Sequence, residues 1–265
     1  MATYTHGHGA AVLRSHRWRT AENSAAFLLP HLRAGHRLLD VGCGPGTITA
    51  DLASRVAPGR VVGLDPAPGV LAEAKALAAS RALANVDFVV GDVYALEFPD
   101  DSFDIVHAHQ VLQHLGDPVA ALREMRRVCR PDGHVAVRDS DYGGFIWYPL
   151  DPDLDRWLDL YRTLIRHNGG DADAGRRLLS WAGQAGFSRI TPSASVWCFA
   201  TLVDRDYWGG MWAERIVNSS FADQAVESGL STRDELVRIS VAWRRWAAAE
   251  DGWFAIPHGE LLCYP

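Results

Sequence analysis

The sequence predicts an α/β fold: a doubly wound, mostly parallel sheet with an added helical cap. Three observations predict it. A mostly apolar run, Leu38–Val41, ends in the glycine cluster Gly42, Gly44 and Gly46, and a helical pattern starts straight after it. From 36 to about 140, strand and helix patterns alternate, as they do in a parallel sheet wound on both faces. Beyond 140 long helical patterns take over, and nine of the ten tryptophans lie there.

Residues 1–35 read as a lead-in. His6 and His8 flank Gly7 in a polar tract that is a disordered terminus, a stray metal-binding tract or a lid. A helix is expected over Arg19–Leu32, stopping near Gly35 and packing outside the sheet or over a ligand. Strands are expected near 37–42, 60–65, 86–90, 103–108 and 133–139. After the glycine loop, Ile48, Leu52 and Val56 recur every four residues and give one apolar stripe to lay on a sheet. Val70, Leu71, Ala74, Leu77 and Ala78 make the face of the next helix. Asp117-Pro118 supplies an N-cap and a first-turn proline for a helix whose buried stripe is Val119, Leu122, Met125 and Cys129.

The second half continues with a helix opened by Asp151-Pro152, carrying Leu154, Trp157, Leu158, Tyr161 and Ile165 on one face. A further helix ends at Gly186 and a strand follows over Ile190–Phe199. Two long helices are expected at about 205–228 and 232–249, the second opened by Ser231-Thr232-Arg233-Asp234 as a capping box with Asp in place of Glu. A strand pair, Trp253–Ile256 and Glu260–Tyr264, would complete the sheet edge. The organisation expected is a lead-in (1–35), a ligand-binding core (36–140) and a closing segment (141–265) whose helices at about 204–250 form the cap, all within one structural domain.

A chain of 265 residues is long enough to bury a sizeable core. Its net charge of −6 argues against nucleic acid as a partner, since such binding rests on neutralising phosphates. Arg123, Arg126, Arg127 and Arg130 read as a solvated helix face. Cys43, Cys129, Cys198 and Cys263 are far apart and contain no C-x-x-C, so neither a metal site nor a disulfide frame is expected, and a reduced, cytoplasmic setting is the default. No apolar run approaches the ~18 residues of a membrane span, and no signal peptide is visible.

The glycine loop must hold a ligand by its backbone, and the following helix points its unpaired N–H groups the same way. The dinucleotide pattern would need its third glycine at 47, where Thr47 stands. No Lys-Ser/Thr pair follows, which excludes a phosphate-binding P-loop. Asp65 closes the next apolar run, 19 residues past Gly46, where its two oxygens could accept both hydroxyls of a ribose.

These stretches resemble a known family. Asp40-Val41-Gly42-Cys43-Gly44-Pro45-Gly46 looks like the first motif of class I S-adenosylmethionine-dependent methyltransferases, Gly63-Leu64-Asp65 like the second and Gly91-Asp92-Val93 like the third. Phe98–Asp104, Val111–Leu115 and Arg127–Gly133 follow in the family's order, closest to the ubiquinone/menaquinone-biosynthesis type that includes many small-metabolite enzymes. The likeness covers roughly 36–139; Asp132 departs from it at a turn where a glycine is usual. It implies a Rossmann-like methyltransferase fold with a seven-stranded sheet and S-adenosylmethionine as cofactor. It also implies that Gly42, Gly44 and Gly46 cradle the methionine end and that Asp40 orients the amino group. Asp65 and the adjoining Pro66 would meet the ribose, and Asp92 and Val93 the adenine, with His109 and Gln110 near the transferred methyl.

Methyl transfer from a sulfonium needs geometry and dryness more than acid or base. His109 or His114 could act as a general base, or each could be a hydrogen-bonded structural residue or a wall of the site. Tyr142 and Trp147, with Phe145 and Tyr148, could form an aromatic box or could be core. Trp208, Met211, Trp212, Arg215 and Ile216 fall on one helix face, and an arginine within such a stripe asks for a partner. His6, His8, Tyr142, Trp147, Trp208, Trp212 and Arg215 are therefore the candidate acceptor-side residues. Arg176-Arg177 is a second candidate for an acceptor carboxylate. The acceptor expected is a small molecule rather than nucleic acid, because His107-Ala108-His109-Gln110 is unlike the adenine-methylation motif. The rival readings are a cyclase or binding module on the same fold, and an NAD(P)-dependent oxidoreductase.

Overall fold

The computed structural model describes residues 16–265. His6 and His8 lie outside these residues. Eight strands form one mixed sheet: β1 (Leu38–Val41), β2 (Val61–Asp65), β3 (Val86–Val90), β4 (Phe103–His109), β5 (Cys129–Ser140), β6 (Ile146–Tyr148), β7 (Arg189–Phe199) and β8 (Trp253–Tyr264). β3, β2, β1, β4 and β5 lie side by side and parallel. β8 runs antiparallel to β5 and, over 254–264, to β7. The first five strands come from the 36–140 region and the last three from the rest.

β1 is buried at every position because helices cover both of its faces. Leu39 and Val41 enter the core shared with Leu122 and Met125, whereas Leu38 enters the opposite core with Ile48 and Leu52. The strand's two-residue period thus feeds two layers at once. The helices that build these layers are α1 (Ala21–Ser24), α2 (Thr47–Val56), α3 (Pro68–Ser80), α4 (Pro118–Val128), α5 (Pro152–His167), α6 (Ala174–Gln184), α7 (Leu202–Asn218), α8 (Ser220–Glu227) and α9 (Arg233–Ala248). Asp117 caps α4 by accepting from the Ala120 N–H at 2.9 Å, as its position before Pro118 predicts.

Several expectations are corrected. The lead-in helix shrinks to α1 and a 3₁₀ turn at Leu29–His31. Thr20 and Asn23 close a capping box on that first turn, and Pro30 cannot extend it. The 205–228 helix is two helices, broken at Ser219, whose backbone is extended and whose hydroxyl donates to the Arg215 carbonyl at 2.7 Å. Adjacent Asn218, Ser219 and Ser220 favour such side-chain-to-backbone bonds over helix. Thr232, not Ser231, caps α9, because the Ser231 hydroxyl donates to the Glu235 carboxylate at 2.6 Å instead. The pair expected at 253–256 and 260–264 is one strand, and β6 makes the sheet eight-stranded rather than seven-stranded. β6 and β5 lie end to end along the same edge of β8, pairing with 253–255 and 258–263 respectively. Pro257 falls in the gap between them, where its missing N–H costs no bond to either strand.

A third core is aromatic and lies among α5, α7, α8, α9 and the start of β8. Trp157 is fully buried there, edge-on to Trp212 at 4.7 Å and to Trp243 at 4.8 Å between ring centroids. Trp147 belongs to this core, stacked on Phe254 at 5.6 Å with planes 9° apart. Trp157→Ala should cost about 3–5 kcal/mol in denaturant unfolding, as large aromatic truncations do, and Trp157→Phe much less. A loss below ~1 kcal/mol in the alanine variant would show that this core closes over the gap.

Candidate functional site

The strands of the parallel half end their carboxyl edges around one cavity of about 310 Å³. That is the place a doubly wound sheet offers a ligand, and the size lies at the lower end of small-molecule sites. Asp40, Gly42, Gly44, Asp65, Pro66, Asp92 and Val93 line it from β1–β3 and their loops. His109, Gln110 and His114 line it from the end of β4, and Tyr142, Trp208, Trp212 and Arg215 from the later part of the chain. Among the described candidates, Gly46, Trp147, Arg176 and Arg177 do not line it. Trp147 lies in the aromatic core, and Gly46 is a packing glycine. Gly46 caps α2 at φ +79°, and a Cβ there would stand 2.8 Å from that of Ala74 on α3.

Gly44 differs from Gly46: a Cβ built on it meets nothing nearer than the His16 ring at 3.7 Å. The loop therefore presents bare backbone to the cavity. The Gly44 N–H donates to one oxygen of Asp65 at 3.1 Å and the Ala67 N–H to the other at 2.9 Å. Asp65 thus ties the β1 loop to the end of β2. Asp40 is pinned from behind, accepting from the Thr49 hydroxyl at 2.5 Å and from His107 Nδ1 at 2.7 Å. Asp92 is exposed and accepts the Tyr94 N–H at 2.9 Å.

At the end of β4, Gln110 sits at φ +53°, a left-handed conformation that a non-glycine residue adopts at a cost. Its carbonyl oxygen accepts from Arg19 at 2.7 Å and its amide faces His258 Nε2 at 2.9 Å. His109 is buried, and neither of its ring nitrogens has a hydrogen-bond partner among the described residues. Burial, then the charges of Arg138 and Arg19, push its pKa well below the usual imidazole value. Burial, then Arg215 and Arg19, push that of His114 down to about 3. Both imidazoles are neutral at physiological pH, so neither titrates near 6.5 as an unperturbed side chain would.

On the later part of the chain, Arg176 is engaged by Asp141 at 2.5 Å and Arg177 by Asp171 at 2.6 Å, so neither is held for an incoming anion. In the basic stretch on α4, Arg127 pairs with Glu124 and Asp100, and Arg130 beyond it pairs with Asp104. Sequence reasoning missed His16, Trp18, Arg19 and Trp197, which also line the cavity. Trp18 packs on Trp197 edge-on at 5.1 Å, and the Trp197 indole donates to the Asn23 carbonyl at 2.6 Å. Trp18, the lone tryptophan of the first half, was a signal; Trp197, one of several in the second, gave none. Among the described residues no cluster of three or more His, Cys, Asp or Glu could hold a metal, and no helix is long and apolar enough to cross a membrane.

Residues 32–187 match the family described as "Methyltransferase domain". An uncharacterized methyltransferase of Schizosaccharomyces pombe is 35% identical over 98% of this chain and 95% of its own length. The crystal structure of the YcgJ protein of Bacillus subtilis superposes with a TM-score of 0.59 at 19% identity, over 91% of this chain and 97% of that one. The [4+2]-cyclase SpnF superposes with a TM-score of 0.54 at 24% identity, over 97% of this chain and 88% of that one. At those identities the two structures speak for the fold alone.

The depressed imidazoles have a measurable consequence. With the folded pKa of His114 at about 3 and the unfolded value near 6.5, the unfolded chain binds more protons between those limits. Stability is therefore lost as pH falls from about 6.5 toward 3, in proportion to the proton difference. Ring-labelled NMR spectra should show His109 and His114 as neutral tautomers with no titration between pH 5.5 and 8. A midpoint near 6.5 for either would mean that the ring is solvated.

Proposed function

The chain belongs to the S-adenosylmethionine-dependent methyltransferases, and from that premise we propose that it methylates a small organic molecule held in the cavity. The observation that carries this reading is the make-up of the cavity. Bare loop backbone and carboxylates line it from the β1–β3 side, and aromatic residues of the helical region line it elsewhere. When bound, S-adenosylmethionine supplies a methyl group on a sulfonium, whose C–S electrons stay with sulfur as the acceptor atom forms the new bond.

The residues fit such a cofactor. The open side of Gly44 leaves room for its methionine end, beside Gly42, which also lines the cavity, and Asp40, fixed by Thr49 and His107, is set to accept from an ammonium. Each Asp65 oxygen accepts one backbone N–H, and a carboxylate so placed at the end of β2 would accept the ribose hydroxyls. Asp92 and Val93 would meet the adenine. His109, neutral and with both ring nitrogens free of partners among the described residues, can donate to or accept from the acceptor. Trp18 and Trp197 close the cavity toward the lead-in and keep water from the reacting atoms.

A cyclase shares this fold, so the fold by itself does not decide between transfer and ring closure. Release of S-adenosylhomocysteine does, assayed with phenols, amines, carboxylic acids and quinol precursors as acceptors. Release that depends on acceptor is expected, and its absence across all four classes would favour the cyclase reading. Calorimetry should show S-adenosylhomocysteine binding and no NADH binding. Asp65→Ala should weaken cofactor binding by about 1.5–3 kcal/mol, the scale of hydrogen bonds involving a charged group. Unchanged affinity would remove Asp65 from the cofactor site. Bulk RNA and DNA incubated with labelled cofactor should stay unlabelled; salt-sensitive labelling would overturn the small-molecule reading.

A further inference from the structure

Among the described residues three arginines are buried: Arg138, Arg205 and Arg215. Arg138 pairs with Glu260 at 3.1 Å. Arg205 donates to the carbonyls of Ala200 and Ala247 at 2.5 and 3.3 Å. Arg215 is different. It is only 5% exposed, and among the described residues its Nε has no hydrogen-bond partner and no carboxylate lies at ion-pair distance from it. Its guanidinium carbon sits 4.6 Å from the centre of the Trp212 ring, and both side chains line the cavity.

A guanidinium stacked on an indole keeps its edge donors free, because the ring engages the face of the cation and the N–H groups point outward in its plane. A buried cation without a counter-charge is costly, so a ligand that brings an anion to those donors removes the cost. The carboxylates that line the cavity do not fill that role. Asp40, Asp65 and Asp92 come from β1, β2 and the turn after β3. Beside Arg215 the wall is instead aromatic: Trp212 stacks on it, Trp208 packs edge-on to Trp212, Tyr142 feels its charge, and Phe145 stacks on Tyr142. Its charge also acts on Tyr142 and on His114, neither of which carries a negative charge at neutral pH.

We propose that the methyl acceptor is an aromatic carboxylate, its carboxylate ion-paired with Arg215 and its ring packed on the wall formed by Tyr142, Phe145, Trp208 and Trp212. This rests on the methyltransferase reading and adds the class of substrate to it. A carboxylate matches the guanidinium fork with two parallel hydrogen bonds. The aromatic wall buries a flat ring with little loss of side-chain freedom, since its own residues already pack on one another, as Tyr142 does on Phe145 at 4.3 Å and Trp208 on Trp212 at 6.1 Å. The one other source of a carboxylate is the methionine end of the cofactor itself, and the test separates the two.

The probes are 2-naphthoate and its uncharged isostere 2-naphthamide, titrated calorimetrically into the full-length protein saturated with S-adenosylhomocysteine at pH 7.5. The saturation step comes first: failure to bind S-adenosylhomocysteine overturns the methyltransferase reading, whatever the acids do. Given that binding, 2-naphthoate should bind at least about tenfold more tightly than the amide, as expected for a desolvated charge pair. Equal binding, or none of the acid at millimolar concentration, overturns the proposal alone. In Arg215→Gln the acid's advantage should vanish, with S-adenosylhomocysteine affinity unchanged. A preference that survives this substitution overturns the role of Arg215, and a large loss of S-adenosylhomocysteine affinity assigns the guanidinium to the cofactor's own carboxylate. Should the glutamine variant not fold, Arg215→Lys keeps a charge but loses the fork, and should reduce the acid's advantage by about threefold or more; an undiminished advantage overturns the proposal.

Discussion

The hydrogen-bonded ladder of β8 is the constraint on which the remainder depends. Its twelve residues pair with β5 and β6 on one edge and with β7 on the other. It also reaches three of the cores, all but the small one around Leu71, Ala74 and Phe88. Phe254 and Ile256 enter the aromatic core, Leu261 and Cys263 the core beside α4 and α6, and Leu262 the core beside α1 and α2. A slip of one residue would exchange these faces and strand each side chain in the wrong layer. The register also sets Glu260 against Arg138 and His258 within reach of Gln110, so the last strand of the chain fixes groups at the end of β4.

Enclosure then determines how the ionisable groups behave. The carboxylate of Asp40 is held by a hydroxyl and an imidazole, and the guanidinium of Arg138 by Glu260 and Ser195. Burial, only partly opposed by Glu260, brings the pKa of Arg138 down to about 10. Burial first and neighbouring arginines second keep His109, His114 and His258 uncharged. Asp139 moves the other way, raised to about 7 by burial despite accepting backbone N–H groups and lying near Arg138 and Arg19. The β4 end of the cavity thus takes positive charge from Arg19 and Arg138, and it keeps neutral imidazoles as adaptable hydrogen-bonding groups. The guanidinium groups themselves do not titrate across the physiological pH range, whereas Asp139 beside them does.

The helical region does not stand apart from the site as a detachable cover. Trp212 is fully buried, lines the cavity and stacks on Trp243 at 6.0 Å with planes 15° apart. Trp208 likewise lines the cavity while stacking on Phe199 of β7 at 4.5 Å. The same rings therefore shape the site and hold α7 to α9 and to the sheet. The aromatic wall is rigid for that reason, and a substitution in it acts on stability and on ligand shape together. Arg215, by contrast, makes no ion pair among the described residues and has freedom to serve a ligand.

The sequence by itself determined the strand–loop–helix cradle and the places of the first five strands along the chain, and its likeness to a known family implied the cofactor. The cradle and the strands rest on local rules: apolar period, glycine where a backbone must bend or lie bare, and acidic residues at strand ends. It also singled out Trp208, Trp212 and Arg215, because a charge within an apolar helical stripe is visible as a spacing. Only the tertiary structure decided the remainder. Gly46 looked like its fellow glycines until the approach of Ala74 on α3 gave it a packing role. Trp147, a candidate from the sequence, stacks on Phe254 in the core, whereas Trp197, which the sequence did not single out, faces the cavity. β6 is three residues long and gains its identity from β8, more than a hundred residues later. A helix face or a turn is written in neighbouring residues, whereas the side of a ring that meets a ligand depends on segments far apart in the chain, which meet only once the sheet has closed.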